Sequence, residues 1–300
     1  MKIGIVYPQI ELRGDPDAVR RIGLAVEELG FDHILFYDHV VGAVHEGREP
    51  KLWGPYTEAD PFHDPFVAFG YLAGITQRIE LVCGVLILPQ RQTVLVAQQA
   101  SDVDLLSGQR LRLGVGTGWN YVEYDALGQD FARRGARMNE QIEFMRALWT
   151  KDLLSYEGEF DSIDRANINP RPKRSIPIWI GGFSEPAFRR GGRLGDGFIF
   201  AGTTDSGAGP TLGVLDAWER VKEHLAANQR TSENFGADYV MLGALGIDAA
   251  VETITRWEEA GGTHASVVTM GMGFDTTEAH LGYIADVAAK LGLSSQAPSS

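Results

Sequence analysis

Apolar runs of strand length alternate with amphipathic helical segments from one end of the chain to the other. That alternation predicts an α/β architecture with a parallel sheet. The first strand is expected over residues 2–7. Asp15 then caps a helix, Pro16 opens it, and Gly30 lies past its end. Val19, Ile22, Val26 and Leu29 repeat at helical spacing and predict one buried stripe. The second strand covers 33–37. A long irregular segment rich in glycine, proline and aromatic residues fills 41–63, and a helix starts at Asp64. The third strand covers 79–88, and the helix after it runs from about Thr93 to Gly108. The fourth strand, 110–115, ends in the run GVGTGWN, and a helix covers about 134–149.

Residues 155–172 read as an insertion, a small hairpin followed by the breaker run NPRPKR. The fifth strand is 177–180, and Ser184 is placed to cap the next helix. The sixth strand is 197–201, with a helix over roughly 211–228. The seventh lies within 239–245. Asp248 starts a helix ending at Gly261 and Gly262, the eighth strand is 265–270, and the last helix is about 277–291. Eight β/α units predict a single (β/α)₈ TIM barrel over residues 1–292, with a disordered tail at 293–300. An open doubly wound sheet is the rival. It carries a glycine loop after its first strand, where this chain has Pro8-Gln9.

Composition narrows the function classes. The length of 300 residues accommodates a barrel of about 250 with loops. A formal net charge of -13 argues against nucleic acid or an anionic membrane as partner. The single cysteine, Cys83, excludes an internal disulfide and suits the cytoplasm. It reads as a small buried apolar residue. The N-terminal run MKIGIVYPQI lacks the features of a signal peptide, and no apolar stretch is long enough to span a bilayer.

A TIM barrel carries its chemistry at the C-terminal ends of its strands. Asp38 and His39 follow the second strand. Histidine exchanges protons near neutral pH, and the adjacent carboxylate could orient it. The pair also reads as a strand end with satisfied hydrogen bonds. Gly116, Thr117, Gly118 and Trp119 follow the fourth strand; Gly181, Gly182, Phe183 and Ser184 follow the fifth; Gly202 follows the sixth. Glycines let backbone N–H groups approach a ligand, and a helix N-terminus attracts a phosphate. The same residues also fit plain tight turns. Trp53, Tyr56, Phe62, Trp119 and Tyr121 could wall an apolar pocket, or only pack the long loop. Tyr7 ends the first strand, and Arg91 could face an anion or solvent. Asp38, His39, His45, His63 and Asp64 match no common metal spacing, so no metal is expected.

Three stretches carry a resemblance: LFYDHV, LVCGVLILPQRQTVLVAQQASDVDLLSGQRLRLGVGTGWN, and NPRPKRSIPIWIGGFSEPAFRRGGRLGDGF. Together they resemble the luciferase-like monooxygenase superfamily, and within it the probable coenzyme F420-dependent oxidoreductases. The resemblance implies a bacterial-luciferase-like barrel whose cofactor ring lies across the mouth. Behind the ring would sit a non-proline cis peptide, here at Gly84-Val85. Asp38 and His39 match the ring-end pair, with the histidine handling a proton. Gly116 to Trp119 and Gly182 to Ser184 match the ring and phosphate segments. By their position at a strand end and in the long loop, rather than by the resemblance, Tyr7, Trp53 and Tyr56 are expected to face substrate.

The implied activity is hydride transfer between F420 and a small organic substrate. FMN, supplied reduced by a partner reductase to a two-component monooxygenase, is the alternative. A non-catalytic cofactor-binding protein is the reading from another class. The polyglutamate tail of F420 would want basic residues near the rim, for which Arg48, Lys51, Arg91, Arg171 and Lys173 are candidates. The family also implies a homodimer. Gly191 and Gly192, where relatives often carry alanine, would loosen their helix.

Overall fold

The structure is a computed structural model that describes residues 1–203, 212–242 and 245–294. In chain order the first half comprises β1 (Lys2–Val6), α1 (Pro16–Glu28), β2 (His33–Phe36), α2 (Pro65–Ile75), β3 (Glu80–Ile87), α3 (Thr93–Leu106), β4 (Leu111–Gly116), α4 (Tyr121–Ala126) and α5 (Arg134–Thr150). The second comprises β5 (Leu154–Glu157), β6 (Ser162–Ala166), β7 (Ile178–Gly181), α6 (Glu185–Leu194), β8 (Gly197–Thr203), α7 (Leu212–Ala227), β9 (Gly236–Leu242), α8 (Ile247–Glu259), β10 (His264–Val268) and α9 (Thr277–Leu291).

Eight strands close into a parallel barrel in the order β1-β10-β9-β8-β7-β4-β3-β2, and β5 and β6 pair antiparallel outside it. Closure removes the sheet edges that an open doubly wound sheet would keep. Asp15 caps α1 by accepting from the Asp17 N–H, and Asp64 caps α2 by accepting from those of Phe66 and Val67. Sequence pattern does not reveal α4, a short helix that follows directly on the GVGTGWN run and is capped by its Asn120. β9 begins at Gly236, earlier than expected, and its expected end at 243–245 falls partly outside the described residues. Thr211, the expected start of α7, also lies outside them, as do residues 295–300 of the expected tail. α8 begins at Ile247, capped by Gly246. Among the described residues no helix is long and apolar enough to cross a membrane.

Strand alternation divides the core in two. Ile3, Ile5, Tyr7, Phe36, Cys83 and Leu113 point outward into the layer between barrel and helices. Val6, Leu35, Val82, Trp179, Ile199, Val240 and Val268 fill the interior. Tyr7 therefore does not face the mouth. Its ring stacks on Phe36 at 4.5 Å, fully buried. β1 sends alternate side chains to opposite faces, and Tyr7 falls on the outer one.

The glycines of α6 serve packing and do not loosen it. A Cβ on Gly191 would meet the Phe198 ring at 2.7 Å, and one on Gly192 would meet the His224 carbonyl carbon on α7 at 2.6 Å. Their absence of side chain lets α6 close onto the barrel and onto α7.

The N-terminal end of the barrel is plugged by a polar network. Arg112 donates to Asp238 at 2.7 Å, Ser266 donates to Asp238 at 3.0 Å, and His33 Nε2 lies 2.8 Å from Ser266. The Arg112 guanidinium sits 4.4 Å from the centre of the Trp179 ring, which meets His264 edge-on at 4.9 Å. Removing one partner of such a buried pair costs about 3–5 kcal/mol, because the other charge is then stranded.

Burial, with Arg112 close by, pushes the His33 imidazole well below its ordinary value and His264 down to about 2. Both stay neutral in the folded chain while the unfolded chain protonates near 6.5. Folded stability is therefore fully present above pH 6.5 and falls as pH drops below it, by about 1.4 kcal/mol per unit per histidine. Asp238, raised by burial, titrates with the opposite sign. The check is a comparison of urea unfolding between pH 6.5 and 5 for the wild type and His264→Asn. The variant should have the shallower pH slope, and equal slopes would contradict the assignment.

Candidate active site

The C-terminal mouth is organised at the end of β2, where the chain turns outward. Asp38 is buried and points away from the barrel interior. It accepts the Ile87 N–H at 2.9 Å and the Arg91 guanidinium at 2.7 Å, and Arg91 also donates to Asp64 at 2.9 Å. Burial raises the Asp38 carboxyl, while Arg91 and the Ile87 N–H pull it back down. Its two carboxylates hold Arg91 above the ordinary guanidinium value, against burial. Asp38 does not touch His39. Successive residues of an extended chain face opposite ways, so the neighbour in sequence is not the partner in space. Arg91 likewise faces neither a free anion site nor solvent, because both its carboxylates come from this chain.

The partner of His39 is Glu123, on α4. Glu123 is buried, and one carboxylate oxygen accepts the N–H groups of Val40 at 2.7 Å and Val41 at 3.0 Å. The other lies 3.2 Å from His39 Nδ1. A carboxylate accepts, so Nδ1 carries the hydrogen and Nε2 is left as an acceptor. Nε2 has no partner among the described residues. The ring is enclosed by Phe62 at 4.8 Å, Tyr56 at 5.2 Å and Trp119 at 5.7 Å. Asn120 caps α4 and donates to the Val41 carbonyl, fixing the loop from both sides. The spacing Asn120-x-x-Glu123 has the form of a capping box. It could have marked Glu123, although the carboxylate reaches another loop instead of its own helix start.

Gly84-Val85 is a cis peptide, at the register shift between Cys83 and Leu86 on the β3–β4 pairing. The Val85 side chain enters the space beside two glycines. A Cβ on Gly116 or on Gly181 would each lie 2.6 Å from a Val85 methyl. These two glycines make room for the bulge. Gly118, at φ +63°, takes the left-handed turn into α4 and lies against Ile87. Thr117 accepts from the Tyr124 hydroxyl through its carbonyl. Gly202 accepts from that of Tyr239.

Ser184 stands at the N-cap of α6 with no side-chain capping bond. Pro186, in the first turn, removes an N–H donor, and the Glu185 carboxylate there is bound by Arg220 and His224. That helix end is a weaker anion site than its sequence implies. Beside it lies a cavity of about 200 Å³, lined by Gly182, Phe183, Phe188, Phe200 and Ala201 among others. Phe183 is 77% exposed. Trp53 is 75% exposed, with no ring partner among the described residues, and so does not wall the pocket as expected.

Several polar atoms at the mouth are buried without a protein partner. They are the Tyr37 hydroxyl, Gln9 Nε2, both amide atoms of Gln90 and Glu11 Oε2. No group of three metal-ligating side chains occurs among the described residues. Asp38 and Asp64 are taken by Arg91, and His45 Nε2 lies 2.9 Å from the Tyr56 carbonyl. Of the other basic candidates, Arg171 pairs with Asp152 in the insertion and Lys51 is exposed.

Residues 3–245 match the family described as Luciferase-like monooxygenase. The chain is 39% identical over 147 residues to an uncharacterized protein of Mycobacterium tuberculosis, covering 49% of this chain and 51% of that one. It is 32% identical over 200 residues to an F420-dependent glucose-6-phosphate dehydrogenase of Nakamurella multipartita, covering 66% and 54%. The chain thus spans about half the length of these curated relatives. An F420-dependent secondary alcohol dehydrogenase, solved with an F420-acetone adduct, superposes with a TM-score of 0.73 at 15% identity over 95% of this chain and 97% of that one. A riboflavin lyase solved with modified FMN and riboflavin gives 0.73 at 14% identity over 100% and 94%. At these identities the two structures share the fold. The chain belongs to the luciferase-like monooxygenase family.

Glu123→Gln keeps an oxygen for the two backbone N–H groups but presents an amide to the imidazole. An amide donor selects the tautomer protonated at Nε2. Nitrogen NMR of His39 should then move the ring hydrogen from Nδ1 to Nε2, with thermal stability changed by about 1 kcal/mol or less. An unchanged tautomer would mean that Glu123 does not set it.

Proposed function

We propose that this protein is a deazaflavin-dependent oxidoreductase that moves a hydride between F420 and a small organic substrate, with His39 handling the proton. The observation that carries this reading is the His39–Glu123 pair, set in an aromatic cage beside the Gly84-Val85 bulge. The names of relatives around 30% identical favour F420 over FMN. The mouth suits a flat polar ring. Val85 supplies an apolar surface, while Gln9, Tyr37 and Gln90 hold hydrogen-bonding atoms that the protein leaves without partners. When bound, F420 supplies a ring carbon that accepts or returns a hydride.

The chain's own residues do the rest. His39 Nε2 accepts the hydroxyl proton of an alcohol, or returns one to a carbonyl oxygen in the reverse direction. Glu123 holds Nδ1 and stabilises the imidazolium that forms. Asp38 and Arg91 fix the segment after β3, on which the ring would rest. Tyr56, Phe62 and Trp119 exclude water from the histidine.

Fluorescence titration with F420 and with FMN, run side by side, tests the cofactor. F420 should bind and FMN should not. His39→Ala should keep F420 affinity within about threefold while lowering kcat by about 10²–10⁴, the usual scale of general acid–base catalysis. FMN binding alone would make the protein a two-component monooxygenase fed by a reductase. Binding of neither would leave no cofactor reading standing.

We propose further that two copies associate through α2. Its sequence, PFVAFGYLAGI, has no charged side chain on any face, yet Val67 is 73% and Tyr71 46% exposed. A helix apolar all round belongs in an interior. Sedimentation should give a dimer for the wild type and a monomer for Val67→Asp/Tyr71→Asp. A wild-type monomer would refute the pairing.

A further inference from the structure

The rim between α5 and α6 gathers unpaired positive charge on a chain whose formal net charge is -13. Arg134 and Arg137 stand three positions apart in the first turns of α5, so their side chains are neighbours on its surface. Arg190 reaches across from α6, donating through Nε to the Asn139 side chain at 2.7 Å and through Nη2 to the Gly135 carbonyl at 3.1 Å. At helical spacing Gly135 and Arg137 flank Arg134, so Arg190 and Arg137 stand on either side of it. Arg134 donates to the Phe131 carbonyl at 2.7 Å, and Arg137 donates to the Arg91 carbonyl at 3.3 Å. The cluster therefore borders the mouth. Arg91 follows β3, and both α5 arginines oppose the burial that raises the Tyr124 phenol, whose hydroxyl donates to the Thr117 carbonyl after β4.

Every acceptor these three arginines have is neutral. Among the described residues none of the three has a carboxylate partner, because the nearby acids are committed. Glu140 accepts three N–H groups of the hairpin, Glu185 is held by Arg220 and His224, and Glu143 faces Arg193. Nε of Arg134 and of Arg137 is buried with no acceptor. Arg134 Nη2, Arg137 Nη1 and Arg190 Nη1 reach solvent and make no hydrogen bond among the described residues. Burial, with Arg193 close by, holds Arg190 below the ordinary guanidinium value, the reverse of Arg91 between its two carboxylates. Arg110 shows what a purely structural arginine looks like here, since all three of its nitrogens donate to the protein.

We propose that Arg134, Arg137 and Arg190 form an anion site on the rim, apart from His39, that takes a phosphate or a short row of carboxylates. Three guanidinium groups, each with a free terminal nitrogen, suit a ligand of two or more negative charges, and their planar forks match either group. Partial burial strengthens the attraction, since the charges are already half desolvated and lack a counter-charge. The start of α5, which has no side-chain cap, adds its positive end. The negative charge arrives either on the anionic tail of a cofactor seated in the mouth or as a free anion. The first source rests on the F420 reading; the site itself does not.

Side-chain nitrogen NMR of the arginines, titrated with pyrophosphate and with tri-γ-glutamate, tests the site without any cofactor. At least one of the two anions should shift the Arg134, Arg137 and Arg190 signals saturably, and the binding should weaken as salt is added. Arg134→Gln/Arg190→Gln should weaken it at least about tenfold, and Arg20→Gln, an exposed control on α1, less than about twofold. No shift with either anion overturns the proposal, as does an equal loss in Arg20→Gln. The wild-type titration decides the matter even if the double variant does not fold. Fluorescence titration with F420 and with its ribityl fragment, the same deazaflavin without phosphate or glutamates, separates the two sources. A cofactor tail in the site makes the double variant weaken F420 at least about tenfold and leave the fragment unchanged; a free anion leaves both unchanged while pyrophosphate or tri-γ-glutamate binding is lost. Failure of F420 to bind a wild type that still takes pyrophosphate would sink the cofactor reading and leave the anion site standing.

Discussion

The mouth of this barrel depends on one buried carboxylate. Asp38 ties the end of β2 to the Ile87 N–H and to Arg91, and Arg91 reaches on to Asp64, the cap of α2. The Arg91 carbonyl in turn accepts from Gln141 on α5. Four segments distant in sequence are thereby held by a single ion cluster. A buried pair of this kind contributes little net stability, since desolvation offsets attraction, but it is costly to leave half-made. Its value lies in fixing geometry. With the outer side of the mouth locked, the bulge at Gly84-Val85 has a defined position, and the turn carrying His39 has a defined direction.

Around that clasp, small residues and charged ones divide the work. Gly116 and Gly181 leave the space that Val85 fills, so their first duty is steric. Glu123 collects two backbone N–H groups and the imidazole, so one carboxylate both shapes the loop after β2 and sets the histidine tautomer. At the opposite end of the barrel Arg112, Asp238, Ser266 and His33 fill the interior with a polar network and take no part in the mouth. The two ends illustrate the division of a TIM barrel into a stability face and a chemical face.

Much of the architecture was legible in the chain itself. Eight alternations of strand and helix, the cap at Asp15, the helix start at Asp64, and the hairpin between β4 and β7 all follow from local pattern. The motif-rich stretches from LVCGVLILPQ to GVGTGWN, with PIWIGG, pointed to the family. Less of the site could be read. Asp38 beside His39 suggests a pair, yet the two side chains go opposite ways. Tyr7 ends a strand at the mouth but lies on the outer face. Arg91 looked available and is fully engaged. Ser184 sits at the helix start without bonding to it.

The sequence by itself determined the period of each element, the number of βα units and the cap at Asp15, because these depend on neighbours within a few positions. Only the tertiary structure decided that His39 belongs with Glu123, 84 residues away. It alone decided that Arg91 is consumed by Asp38 and Asp64, and that Gly116 and Gly181 are the floor for Val85. Those outcomes depend on closing eight strands into one ring. Closure sets which faces turn inward and which strand ends meet, and no local pattern encodes that distance.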